Sequence, residues 1–485
     1  GLDHLKELGV TALELMPVAQ FPGDRNWGYD GVYPYAPQNT YGGPSGLKSL
    51  VNACHRKGLA VILDVVYNHL GPDGNYLSDF GPYFTSRYKT PWGDAVNYDG
   101  AYSDEVRAFF IQNALYWISE FHFDGLRLDA IDAIYDLSAR HVLAELADAV
   151  HRRAGELGRQ AFVVAESDLN DVKLINPSAL GGYGIDAQWS DDFHHALHAL
   201  LTHERKGYYQ DFGGIEHLKK AFQEGFVYSG SYSQYRKRRH GNSSRGVPAR
   251  QFIVCSQNHD QIGNRMLGER LSSIISFEQQ KLAAGCVLLS PFIPLLFMGE
   301  EYGEHAPFLY FVSHLDDQLV KAVREGRSLE FAHFEWDGTV PDPQDESTFL
   351  RSKIEPSLSR EGRHRTLFLY YRELIQLRKA LPALSAPEKN GLQAVKHEQE
   401  QVLIVRQGRP EDQILLLLNF RDRTATLPVL MAPGLWTRML DSSSAEWDGP
   451  CEHLGQTIRS AGGDVTLTLN AHSVVVYTFA GEERK

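Results

Sequence analysis

Seven short apolar runs, each ending in polar residues and each separated from the next by an amphipathic or polar stretch, constrain this chain more than anything else in it. They are TALELMPV (11–18), LAVILDVVYNH (59–69), FDGLRLDAI (123–131), AFVVAESD (161–168), GIDAQWSDD (184–192), FIVCSQNHD (252–260) and IPLLFMGEE (293–301). Apolar runs of this length read as strands buried on both faces, the pattern of a parallel sheet. Parallel neighbours need crossover connections, and helical patterns lie between the runs. SGLKSLVNACHRKG (45–58) sets Leu47, Leu50, Val51 and Cys54 on one face and ends at Gly58. SDEVRAFFIQNALYWISEF (103–121) opens with Ser103 and two acids in its first turn, which suit the positive end of a helix. Strand and helix repeated this often favour a closed β/α barrel over an open sheet.

The two ends of the chain depart from that pattern. GLDHLKELG at the start reads as the tail of a helix, with Leu2, Leu5 and Leu8 on one stripe and Gly9 at its end, and runs straight into the first apolar stretch. The expectation is a (β/α)8-type barrel that lacks its first strand in this chain, with strands at 11–16 and 294–298 left facing each other across a gap. Past the helix TLFLYYRELIQLRKAL (366–381) the period changes to alternation, in AVKHEQEQVLIVRQ, QILLLLNF, ATLPVL and DVTLTLNAHSVVVYTF. The expected organisation is a catalytic barrel over 1–385, with a short insertion at about 70–100, and an antiparallel β-sandwich over 390–485.

Composition narrows the function classes. A net charge of -13 argues against nucleic acid as a partner, because phosphate contacts need a basic face. The one basic run, RKRRH (236–240), sits among Ser, Gly and Tyr and reads as a solvated loop. Cys54, Cys255, Cys286 and Cys451 share no metal-ligand spacing, and Cys255 and Cys286 lie in apolar runs, so buried thiols in a reducing cytoplasm are expected. The longest apolar stretch is broken by Pro291 and Pro294, so no membrane span is expected. No metal, no cofactor and no phosphate loop is expected either.

In a parallel barrel the C-terminal strand ends share one mouth, where residues distant in sequence meet. Asp64 with Asn68 and His69, Arg127 with Asp129, Glu166, and His259 with Asp260 all stand at or just past such ends. Crowded carboxylates repel one another and seldom persist for packing alone. Two of them flanking a glycosidic bond are what sugar hydrolysis needs, one as acid and one as nucleophile. Each residue also has a plainer reading: Asp64 and Arg127 as a buried ion pair, Asn68 in a turn, the histidines as satisfied core groups, Asn258 and Asp260 as helix caps. Trp27, Tyr29, Tyr33, Tyr35 and Tyr41 crowd the loop after the first strand, where flat rings could stack on glucose or form a satellite core.

DVVYNH, GLRLDA, AES and QNHD, in this order on successive strands, resemble the four sequence regions of the α-amylase family of retaining glycosidases and transglycosidases. The resemblance implies Asp129 as nucleophile, Glu166 as general acid/base and Asp260 as the carboxylate that grips sugar hydroxyls in the transition state. It also implies that Arg127 orients Asp129, that His69 and His259 bind hydroxyls, that Asp64 and Asn68 support the floor, and that Tyr29 is a platform for the glucose at the cleaved bond. Longer stretches are similar to one branch of that family, the malto-oligosyltrehalose trehalohydrolases: 26–44, 189–214, 224–241, 257–265 and 295–303. Such enzymes cut the α-1,4 bond next to the terminal α,α-1,1-linked pair and release trehalose. The substrate implied is malto-oligosyltrehalose or a related α-glucan, with discrimination assigned to 189–214, 224–241, Glu300 and Glu301. Ser167 follows the acid where the branch has Asn as often. A glucan branching enzyme, which passes the cut chain to a sugar 6-hydroxyl, shares the four regions. A non-catalytic sugar-binding barrel would be marked by loss of Asp129, Glu166 or Asp260, and all three are present.

Overall fold

Each of the seven apolar runs contains a parallel strand in the computed structural model, which describes residues 1–332, 340–385, 389–450, 454–479 and 481. The chain forms two compact units. The first holds residues 1–6, 10–189 and 309–352; the second holds 7–9, 190–308 and 353–485.

The first unit is built on five strands, β1 (Ala12–Leu15), β2 (Ala60–Val65), β3 (Gly125–Leu128), β4 (Phe162–Ala165) and β5 (Ala187–Trp189), hydrogen-bonded in chain order. All the pairings are parallel, with Leu15 opposite Leu63, Asp64 opposite Arg127, Arg127 opposite Val164 and Val164 opposite Ala187. Val61, Leu63, Leu126, Leu128, Val163 and Ala165 are buried, as residues covered on both sheet faces must be. The connecting helices are α1 (Gly43–Arg56), α2 (Ser103–Glu120) and α3 (Val142–Glu156). The first buries the expected Leu47, Val51 and Cys54, while Leu50 is half-buried. The insertion after β2 contains its own hairpin, Phe84–Thr90 with Gly93–Val96.

The second unit continues with α4 (Asp191–Thr202), α5 (Ile215–Glu224), strand β6 (Phe252–Val254), α6 (His259–Gly263), α7 (Phe277–Leu288), strand β7 (Ile293–Pro294) and α8 (Gly362–Ala380). The strands β6 and β7 pair in parallel, Ile253 opposite Ile293. They bring the parallel strands to seven among the described residues, which is the α/β pattern expected. The described residues of 389–479 form the antiparallel part. A six-stranded sheet comprises Gln393–His397, Val402–Gln407, Ile414–Asn419, Val474–Phe479, Gly434–Asp441 and Thr457–Ser460, in that spatial order; a two-stranded sheet joins Ala425–Met431 to Gly463–Leu469. Side chains from both sheets, among them Ile404, Leu417, Leu427, Val429, Trp436 and Leu469, share one core, the sandwich arrangement expected.

This sandwich is fastened to α7. Lys281 is fully buried and donates to the Ser442 and Trp447 carbonyls at 2.6 and 2.8 Å, with Glu278 at 2.9 Å. Gly285 faces Val474 so closely that a Cβ would lie 2.7 Å from a valine methyl. The expected helix at the chain start is present as Leu2–Leu8.

Candidate active site

The geometry of the first unit begins with the strand register. Asp64 and Arg127 are opposite one another on β2 and β3, and Asp129 lies two residues beyond Arg127, so its side chain returns to the same face. Arg127 is fully buried and its Nη1 donates to Asp64 Oδ2 at 2.7 Å and to Asp129 Oδ1 at 2.8 Å. Its Nη2 stands 3.6 Å from Glu166 Oε2, and the guanidinium lies 4.3 Å over the Trp189 ring. Burial opposes that charge, yet Asp64, Tyr29, Glu166 and Asp129 hold Arg127 well above its usual range. One permanent cation is therefore ringed by three carboxylates.

Asp129 is fixed from its other side as well. Asn68 Nδ2 donates to Asp129 Oδ2 at 2.9 Å and to its carbonyl at 2.8 Å, so both carboxylate oxygens have a donor. The next residue, Ala130, is left-handed at φ 38, a strained conformation for a residue with a Cβ, and its N–H donates to Glu166 Oε2. The turn after β3 thus links the two carboxylates through one peptide. Their side chains keep 10% and 19% exposure, the access a reacting pair requires.

His69 Nε2 lies 2.9 Å from the Tyr29 carbonyl and Nδ1 contacts Asn68 Oδ1. Burial holds this imidazole below its ordinary range, and a neutral ring carries one N–H, which serves one of those two oxygens at a time. Tyr29 donates its hydroxyl to Asp64 Oδ2 at 2.7 Å. Gly28 makes that placement possible: at φ 107 it passes so near Pro17 that a Cβ would lie 2.1 Å from the Pro17 carbonyl oxygen. Asp64 is pushed up to about 8 by burial, against the pull of Arg127 and Tyr29.

Tyr29, Asp64, Asn68, His69, Arg127, Asp129 and Glu166 therefore form one bonded group. The Trp27 ring is buried against Tyr310 and its N–H donates to the Leu309 carbonyl at 2.9 Å. Tyr35 packs on Phe109 and Tyr116, while Tyr33 and Tyr41 are 53% and 51% exposed.

In the second unit, Asn258 caps α6 by accepting the Gln261 N–H at 2.8 Å, so the cap reading of this residue holds. His259 is buried, and its Nε2 lies 3.3 Å from Asp260 Oδ2, whose side chain is 37% exposed. Glu300 and Glu301 are buried, and the Tyr371 hydroxyl donates to Glu300 Oε1 at 3.4 Å. Glu300 accepts from Phe297 N at 2.9 Å, and burial pushes it up to about 8; Glu301 accepts from Gly299 N at 3.0 Å.

Trp92 and Glu14 of the first unit are absent from the site residues read in the sequence, and Trp189 enters them only as the first residue of 189–214. Trp92, 51% exposed, stacks flat on His69 at 4.2 Å. Trp189 supplies the ring under Arg127. Glu14 on β1 is pushed up to about 7 by burial, against the pull of Arg127. The aromatic within DAQWSDD and the acid within TALELMPV were visible as polar or aromatic intrusions in strand runs, the only signal available for them. Among the described residues no three His, Cys, Asp or Glu side chains converge as a metal site, and no helix is long and apolar enough to cross a membrane. Cys54, Cys255 and Cys286 are buried; Cys451 lies outside the described residues.

The family model for the alpha amylase catalytic domain matches residues 1–91. The malto-oligosyltrehalose trehalohydrolase of Saccharolobus solfataricus is 53% identical over 378 residues, 78% of this chain and 64% of its own length. That of Arthrobacter ramosus is 51% identical over 390 residues, 80% of this chain and 68% of its own. The chain thus spans about two thirds of the length of these relatives. An alpha-amylase-like crystal structure from Salmonella typhimurium superposes with a TM-score of 0.86 at 40% identity, covering 99% of this chain and 78% of that one.

Proposed function

This chain belongs to the malto-oligosyltrehalose trehalohydrolase family, and from that membership we propose that it hydrolyses the α-1,4-glucosidic bond next to the terminal trehalose unit of malto-oligosyltrehalose, releasing trehalose with retention. The observation that carries the reading is the fixing of Asp129: Arg127 and Asn68 each donate to one of its oxygens while Glu166 is tied to the next peptide. A carboxylate held in this way keeps its charge aimed at one point, which favours attack on an anomeric carbon.

Asp129 attacks C1 of the glucose on the non-reducing side of the bond while Glu166 gives its proton to the departing 4-oxygen of the trehalose unit. Trehalose leaves, and the glucan remains as an ester on Asp129. Glu166, now a carboxylate, takes a proton from water, the hydroxide equivalent attacks C1, and Asp129 is released. Arg127 keeps the Asp129 carboxylate aimed before attack, and Asn68 stabilises it as it leaves. Asp260 grips sugar hydroxyls in the transition state, His69 and His259 bind hydroxyls, and Tyr29 is a platform for the glucose at the cleaved bond. Discrimination for trehalose resides in 189–214 and 224–241, with Glu300 and Glu301 as further candidates, and Trp27 is a candidate substrate-binding ring. A cytoplasmic location belongs to the same proposal, supported by the free buried thiols of Cys54 and Cys286.

Incubation with malto-oligosyltrehalose and, separately, with plain maltodextrin tests the reading. Trehalose released from the first faster than any product from the second supports it. New α-1,6 branches would assign a branching enzyme instead, and no product from either would leave a sugar-binding barrel.

A further inference from the structure

Helix α4 buries His194, His195 and His198 together, an arrangement that costs stability unless the rings are partnered. His194 Nδ1 lies 2.9 Å from the Ser256 carbonyl and its Nε2 lies 3.1 Å from the Tyr209 hydroxyl. His198 stacks on Tyr209 at 4.4 Å and contacts Glu204 Oε2 through Nε2 at 2.8 Å. His203, left-handed at φ 61, ends the helix and turns the chain so that Glu204 returns to His198. Glu204 then receives both terminal nitrogens of Arg265, at 2.9 and 3.0 Å, in a bidentate fork.

The two protein groups so gripped bracket the segment that carries Asp260. Ser256 immediately precedes Gln257–Asn264, and Arg265 immediately follows it. A third tie runs from the Tyr208 hydroxyl to Gln261 Oε1 at 3.2 Å. The helix between them, α6, has only five residues, too few to keep a direction by its own hydrogen bonds. We propose that Glu204 is a positioning residue: by forking Arg265 against His198 it holds α6, and with it Asp260, in the orientation the reaction needs. This rests on the glycosidase reading above.

The charges agree with the geometry. Burial opposes ionisation of Glu204, but bonds from His198 and Arg265 hold its carboxyl down at about 2, while burial keeps His198 below its ordinary range. A neutral His198 donates through Nε2 and leaves Nδ1 without a proton, and Nδ1 indeed has no partner. Part of the stretch 189–214 thus serves the shared chemistry and not the choice of substrate.

Glu204→Gln keeps the shape and removes the charge, and Arg265→Lys keeps the charge and removes the fork. A displacement of the order of 1 Å costs about 100-fold, so each variant should lower kcat about 10- to 100-fold, by the same factor on maltodextrin and on malto-oligosyltrehalose, with KM changed less than about twofold. Added to Asp260→Asn, Glu204→Gln should cost almost nothing further in residual kcat/KM. Unchanged kcat in both single variants, a loss confined to the trehalose-capped substrate, or full additivity with Asp260→Asn would each overturn the proposal. If Glu204→Gln does not fold by circular dichroism, Arg265→Lys carries the same comparisons. A wild-type protein that cuts maltodextrin without releasing trehalose would sink the substrate assignment alone and leave these comparisons intact.

Discussion

Asp129 shows how far a single residue could be read. Its place two residues after Arg127 at a strand end was visible in GLRLDA, and so was a role for each neighbour. The donor that completes its cage, Asn68, was also marked, but the left-handed Ala130 that ties Glu166 to the same turn was not, because nothing in an alanine announces a positive φ. Trp92 and Glu14 were missed for a related reason: their meeting with His69 and Arg127 depends on chain segments far apart in sequence. Asp129→Asn should leave fold and glucan binding nearly intact and lower kcat by more than about 100-fold; steady-state kinetics checks this. Glu300 makes a second prediction at this scale. Burial pushes its carboxyl up to about 8 from an unfolded value near 4.5, so the folded protein keeps a proton that the unfolded chain loses. That contribution is complete below about pH 4.5 and is lost as pH rises to about 8. Urea midpoints measured from pH 5 to 8 should therefore fall less in Glu300→Gln than in the wild type.

Elements were legible where their period was clean. The parallel strands lie inside the apolar runs, and helices α1 and α2 lie within a few residues of their expected bounds. Gly434–Asp441 and Thr457–Ser460 were not recognised as strands. In the first, Thr437 and Arg438 interrupt the apolar run and the register shifts between Arg438 and Leu440; the second is four residues long, TIRS. The two stretches assigned to trehalose discrimination are also joined as elements. Asp211 accepts the backbone N–H groups of Gln234 and Tyr235 at 2.8 and 3.1 Å and the Ser233 hydroxyl, so it anchors the hairpin 232–239 to the turn before α5. Asp211→Ala should free that hairpin and reduce the preference for trehalose-capped substrate about 10-fold or more, with maltodextrin cleavage changed little. Competition between the two substrates in one tube reads the ratio directly.

At the scale of the whole molecule, the sequence announced a parallel α/β part and an antiparallel sandwich, with the change of period between Pro382–Ser385 and Gln393–His397. It did not announce that the sandwich would share a compact unit with residues 190–308, because the ties between them, such as Lys281 to the Ser442 carbonyl and Lys389 to the Glu224 carbonyl, join residues far apart in sequence. Lys281→Met removes the cation that two sandwich carbonyls and Glu278 surround, leaving buried acceptors unpaired. A loss of about 3 kcal/mol or more is expected, read as a lower thermal midpoint. The bond Asp129 forms can be seen in one experiment. The protein is quenched during reaction with an activated fluoro-glucoside, whose electron-poor ring slows release of the ester, and its peptides are weighed. One added glycosyl unit is expected on the peptide containing Asp129, absent in Asp129→Asn. An adduct on another carboxylate, or steady turnover with no adduct and inverted product, would contradict it.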